Sequence, residues 1–160
     1  MNPILQWFTA HPGFPPQLAV TLVSMLPILE LRAGIPFARV LHLPLGEALF
    51  FSVLGNIIPI PLILLFIRKI FEWLKPTKYL GGIITKLENR AMNKSDKIAK
   101  AEFWGLVAFV GIPLPGTGGW TGALIAALLR IDLKKASAAI LLGIAIAATI
   151  MSLIAYGVFG

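Results

Sequence analysis

The chain has 160 residues, 58% of them hydrophobic and 13% charged, with a mean hydropathy of +0.86. A soluble domain carries about 25% charged residues, so this is the composition of a membrane protein, with room for about four to six embedded segments and no soluble catalytic domain. There is no cysteine, which excludes disulfides, thiol chemistry and thiolate metal sites. The net charge of +7 does not point to nucleic acid. Most of the basic residues fall in one connector between apolar blocks, without aromatic and basic interleaving on a soluble platform.

In chain order, residues 1–16 (MNPILQWFTAHPGFPP) lack the basic region and cleavage site of a signal peptide and are expected to be mature sequence. Ile4, Leu5, Trp7 and Phe8 suit an outer interfacial anchor. Residues 17–44 form an apolar block interrupted by Pro27 and Pro36, leaving arms of about 10 to 14 residues, which suit a re-entrant hairpin better than a crossing. Residues 45–67 are long enough to span and are expected to bend at Pro59 and Pro61. Within them Glu47 is expected at the interface and Asn56 to point inward. Residues 68–102 are the basic connector. Its Leu80, Ile83, Ile84, Leu87 and Ala91 recur at helical spacing, which predicts an amphipathic helix lying on the inner leaflet or packed on the protein itself. Residues 103–131 are a second interrupted block, broken by IPLPGTGGWTG, and residues 138–159 a second full span.

Charge bias selects among topologies. Nine basic residues lie in 68–102, and Arg130, Lys134 and Lys135 form a second cluster. If all four apolar blocks crossed, the two clusters would face opposite sides of the membrane. If 17–44 and 103–131 dip in and return, both face the cytoplasm, as the positive-inside rule requires. The expected fold is therefore an all-α, multi-pass protein of the cytoplasmic membrane: two re-entrant hairpins, each followed by a transmembrane helix, plus a cytoplasmic amphipathic helix. At a constant offset of 88 residues, Leu26, Pro27, Gly34, Ala38 and Gly55 meet Leu114, Pro115, Gly122, Ala126 and Gly143. One crossing separates the two units, so they form an inverted repeat, a plan common among secondary transporters.

Non-helical backbone at membrane depth is tolerated only where protein buries it or water reaches it. The two breaks are therefore expected to meet in one site near the midplane. LPILELRAGIP, with Pro27, Glu30, Arg32, Gly34 and Pro36, makes one wall. At that depth desolvation and Arg32 act on the proton affinity of Glu30 in opposite senses, which suits a proton carrier or a ligand for a cationic substrate. Arg32 balances Glu30 or grips a phosphate or carboxylate. Two residues apart, they do not face each other on a regular helix, so pairing needs an irregular backbone or a different partner. A static ion pair that fixes the hairpin is the structural alternative.

The second wall has no charge. Pro113, Pro115, Gly116, Thr117, Gly118, Trp120, Thr121 and Gly122 supply turns, hydroxyls, a ring donor and the free amides of a broken helix. Those amides can bind an anion, or the glycines can serve close packing. The GxGG spacing lacks the preceding strand and the Lys-Ser/Thr ending of a nucleotide loop. His11 and His42 are isolated, so no metal site is expected, and no cofactor is implied. No nucleophile, base and orienting residue assemble, so the protein is not expected to be an enzyme.

ELRAGIP (30–36) and PLPGTGGWTGALIA (113–126) resemble the signatures of the small multidrug export protein family, a distant relative of the DedA membrane proteins. The resemblance covers nearly the whole chain. It implies facing re-entrant hairpins, each packed on a transmembrane helix, with essential acidic and basic residues in the site; Glu30 and Arg32 take those places in the ELR motif. For the DedA relatives it implies proton-dependent transport and translocation of lipid carriers such as undecaprenyl phosphate. DedA proteins often have further intramembrane charges, and the second hairpin here has none.

The resulting expectation is a proton-coupled transporter or flippase for an amphipathic cation or a lipid-phosphate substrate. A passive lipid scramblase and a non-transporting structural membrane protein are the alternatives. A homodimer is favoured because broken backbone needs cover from lipid, with Gly143 and Ala147 as a close interface.

Overall fold

The computed structural model describes residues 13–74, 76, 81–82, 85, 96–114 and 116–158. The N-terminal anchor, nearly all of the predicted connector helix, and Pro115 lie outside the described residues. Those described are helical, without a strand among them.

Helix α1, Pro16–Met25, has proline at its first position, where the missing amide costs nothing. It stops at Leu26, which is extended (ψ 134°) because the following Pro27 disfavours helical backbone before it. Helix α2, Glu30–Val40, then runs back against α1. Pro36 lies inside α2 and does not interrupt it, contrary to the sequence expectation. Its ring fixes a helix-compatible φ, and the helix forgoes a single bond to the Arg32 carbonyl. The break is confined to residues 26–29. Helix α3, Leu45–Ile57, and α4, Pro59–Leu74, are joined through Ile58, itself in helical conformation (φ −50°, ψ −46°). Pro59 and Pro61 remove two amides at this junction without turning the chain back, so Leu45–Ile67 is one long apolar segment.

The second half repeats this order. Helix α5, Asp96–Gly111, leads into a break, α6, Gly119–Leu128, returns, and α7, Leu133–Ser152, continues as a π-helical turn over Leu153–Val158. The boundaries differ from the sequence expectation in three places. Helix α4 extends past residue 67 to Leu74, and α5 begins at Asp96 rather than 103, so both ends of the basic connector are helical. Helix α7 begins at Leu133 rather than 138, because Asp132 caps it by accepting from the Lys134 and Lys135 amides at 3.1 and 3.2 Å. Leu45–Ile67 and Leu133–Gly157 are the two described helices long and apolar enough to cross a membrane.

The backbone itself recurs at the offset of 88. Residues with positive φ are Ile28 (75°), Glu30 (51°) and His42 (58°) in the first half, and Gly116 (81°), Gly118 (139°) and Arg130 (48°) in the second. Helices α2 and α6 end identically: Leu43 N donates to Ala38 O at 3.0 Å, and Ile131 N to Ala126 O at 2.9 Å. This is the closing bond that a left-handed residue at the helix end permits. In each half the entering helix packs on the span, α1 on α3 and α5 on α7. The returning helices cross over, α2 packing on α7 and α6 on α4.

Glycine sets these approaches. A methyl group on Gly143 would lie 2.6 Å from Val110 Cβ and 3.0 Å from the Val107 carbonyl, so α5 and α7 pack backbone to backbone there. Gly143 and Ala147 are therefore used inside the chain, not on a surface open to a partner. Ala147 is buried, and the expected dimer interface at this pair is replaced by intrachain packing.

Candidate functional site

Helix α2 enters with its first residue, Glu30, only 2% exposed. Its carboxylate points at the start of α6: Oε2 accepts from the Gly119 amide at 3.1 Å and Oε1 from the Trp120 amide at 2.9 Å. These amides have no partner within their own helix, and the positive end of the α6 dipole favours the anion they hold. Gly118 makes the approach close. A side chain there would overlap the Glu30 carboxylate, and the φ of 139° is one that glycine alone adopts readily.

Two residues on, the Arg32 guanidinium reaches the other side of the same break. Nη1 donates to the Leu114 carbonyl at 3.0 Å and to that of Thr117, and Nη2 lies 3.3 Å from the Val110 and Ile112 carbonyls. These are the last carbonyls of α5 and those of the following loop, so the cation lies at the negative end of a helix. Glu30 and Arg32 do not pair with each other. Each takes a partner in the second half, the carboxylate on donors and the guanidinium on acceptors, so two adjacent charges satisfy both ends of one backbone break.

The exchange runs in both directions. Trp120 stands 88 positions after Arg32, and its Nε1 donates to the Met25 carbonyl at 3.0 Å, the last residue of α1. Two side chains 88 positions apart thus each cap the broken helix of the other half. Arginine covers several carbonyls, whereas tryptophan covers one. Thr117 closes its own loop: its hydroxyl lies 2.9 Å from both the Ile112 and Leu114 carbonyls and accepts from the Leu114 amide at 3.3 Å.

The remaining predicted residues fall into four groups. Asn56 is buried at 1% exposure, with Oδ1 unpartnered and 3.4 Å from where a Gly119 methyl would sit; it belongs to the Glu30 environment. Gly34 and Gly122 are packing positions, Gly34 against Ser24 and Ser52, and Gly122 against Val110 (2.5 Å from an added methyl). Pro27, Gly116 and Thr121 stand further out: Pro27 and Gly116 are exposed at the two breaks, Thr121 half-buried in the first turn of α6. Pro113 is half-buried in its loop and Pro36 half-buried on α2. Sequence reasoning missed Ser24 and Ser52, which are fully buried with no hydrogen-bond partner for either hydroxyl. A serine in an apolar helix gives no signal of what it faces, so only the packing around Gly34 finds them. Among the described residues no group of three or more His, Cys, Asp or Glu side chains could hold a metal.

Helix-break-helix units tied together by a buried carboxylate and a half-buried guanidinium, with two long apolar helices, define an all-helical membrane protein. Residues 30–150 match the family described as "Putative small multi-drug export protein", and the chain belongs to that family. The description of that family is of an export protein. No curated protein and no solved structure matches the chain.

Proposed function

We propose that the protein is a proton-coupled transporter or flippase of the cytoplasmic membrane, with the DedA relation and the inverted repeat of re-entrant hairpins as its frame. The observation that carries this reading is the bond of the Glu30 carboxylate to the Gly119 and Trp120 amides across the two halves. Protonation removes the charge that makes these bonds strong. It also leaves Arg32 without a nearby anion and weakens the contact between α2 and α6. A proton then shifts the balance between a latched and an unlatched arrangement of the halves. When the latch opens, the freed amides of α6 and the Arg32 guanidinium offer donors to an anionic headgroup, while the apolar residues around the breaks accept a lipid chain. The recurrence of backbone conformation at the offset of 88 supports two equivalent halves that rock about this contact.

Flux in proteoliposomes tests it, with a fluorescent lipid-phosphate analogue and a cationic dye, each with and without a proton gradient. Gradient-driven movement of one probe, lost in Glu30→Gln, is expected. Flux of the lipid analogue that ignores both the gradient and the substitution would make the protein a passive scramblase. The latch also favours a second reading, a non-transporting membrane protein whose charges only hold the fold. No flux of either probe, with a destabilised Glu30→Gln variant, would establish that reading.

The basic connector 68–102 faces the cytoplasm in this scheme. Maleimide labelling of a cysteine at Ser95 from the outside only would invert the orientation. Leu26, Ile28 and Leu114 at the two breaks are 50%, 77% and 55% exposed. They suit cover by a second copy, and Ile28→Cys is expected to crosslink between protomers in membranes.

A further inference from the structure

Three buried side-chain oxygens lack hydrogen-bond partners among the described residues. Helices α2 and α3 run antiparallel through the turn at 41–44, and Gly34 of α2 faces Ser52 of α3, whose Oγ would be 2.9 Å from a Gly34 methyl. One turn further along the same pair, Glu30 stands opposite Asn56. Ser24 of α1 reaches the same glycine, since its hydroxyl would overlap that methyl. Ser24 Oγ, Ser52 Oγ and Asn56 Oδ1 are each buried without a hydrogen bond, an arrangement that costs each group its hydration.

Polar groups continue outward along the α1–α3 contact. The Thr21 carbonyl abuts Gly55, and the Thr21 hydroxyl donates to the Gln17 carbonyl at 2.9 Å. Gln17 Nε2 donates to Glu47 Oε2 at 2.8 Å in a half-buried pair at the start of α3. One turn outward from Gly34, on the same side as this pair, Val20, Ala38 and Ala48 are fully buried and pack together, so polar groups pass this layer only along α1, through Thr21.

We propose that bound water joins Ser24, Ser52 and Asn56 to Glu30 as a proton-conducting row, reached from the Gln17–Glu47 pair along the Thr21 side of α1. Water suits the site better than a metal cation. The Glu30 charge is already balanced by the α6 amides and Arg32, whereas Asn56 Oδ1 lacks only a donor and each hydroxyl can give one proton and take another. Arg32 is the charged neighbour of Glu30, and Glu47 is the titratable group at the mouth. Helices α1, α3 and α6 bring hydroxyls, an amide and backbone N–H groups toward the carboxylate. In transfer, each hydroxyl accepts a proton from water on its outer side and releases its own inward. One proton enters beside Glu47, one arrives on the Glu30 carboxylate, and the groups between are unchanged.

This rests on the reading that Glu30 takes up protons, and its test does not use flux. The full chain in liposomes is given a rapid pH drop, and the infrared carbonyl band of protonated Glu30, assigned by its loss in Glu30→Gln, is followed in time. The Ser24→Ala/Ser52→Ala variant is expected to slow the band about tenfold, with unchanged final amplitude, equivalent to roughly 1.4 kcal/mol on the barrier. An unchanged rate, or no such band in the wild type, would overturn the proposal. Magnetisation transfer from water to the Asn56 side-chain amide in the wild type, by solid-state NMR, is expected as an independent sign of hydration, and its absence would also overturn it. If the double variant slows protonation while the wild type moves neither transport probe, the conducting row stands and the transport reading fails.

Discussion

The two helix-break-helix units share their backbone and differ in their chemistry. The first, α1 to α3, places Ile28 and Glu30 where the second has Gly116 and Gly118, and Arg32 where the second has Trp120. At these two positions the second unit meets left-handed backbone at little cost, while the first holds two non-glycine residues, one of them β-branched; the third pair, His42 and Arg130, is non-glycine in both. In exchange the first unit carries both charges. Its side chains satisfy the amides and carbonyls exposed by the second unit's break, and a single indole satisfies one carbonyl of its own. One unit supplies charge, and the other supplies bare backbone for it to bind.

The largest effect expected from disturbing this division is at Gly118. Gly118→Ala places a methyl into the Glu30 carboxylate at a left-handed position and should destabilise the protein by about 3 kcal/mol or more, seen as a large fall in thermal unfolding temperature in detergent. Arg32→Met comes next at about 2 to 4 kcal/mol, since it leaves several loop and helix-end carbonyls unpaired. Glu30→Gln keeps an acceptor and loses the charge, for about 1 to 2 kcal/mol by the same measurement. Trp120→Phe removes the single bond to Met25 and should cost about 1 kcal/mol. If Trp120→Phe proved as damaging as Arg32→Met, the two units would be energetically equivalent and the asymmetry drawn here would not hold. Ile28→Gly has the opposite sign. It relieves a strained backbone at an exposed position and should stabilise by about 1 kcal/mol, an effect that the corresponding position 116 no longer offers.

Much of the site was legible in the sequence because its elements are locally encoded. ELR between apolar residues, and a glycine-rich run in a second apolar block, are conspicuous against a membrane composition, and both lie at the breaks. Pro27 acts through its effect on the preceding residue, a local property, and that boundary came out as expected. Pro36 did not, because a proline within a helix is decided by what surrounds it. The partners of Glu30 and Arg32 were not legible either. They are main-chain amides and carbonyls 78 to 90 positions away, and every residue type carries those groups. Asn56 was marked by its polarity, but Ser24 and Ser52 were passed over, since a serine in a membrane helix usually bonds to its own preceding turn. The small residues at 143 and 147 were recognised as a close-packing face, yet Gly143 meets α5 of the same chain and Ala147 is buried within it.

Composition, the breaks at Pro27 and in the glycine-rich run, the charges beside the former and the offset of 88 were determined by the sequence alone, because hydropathy, proline sterics before the ring and register act over short stretches. Which groups those charges meet, and which small residues face one another, only the tertiary structure decided. A hydrogen bond to a backbone amide depends on where two distant segments pack, and the side chains at either end do not name that amide.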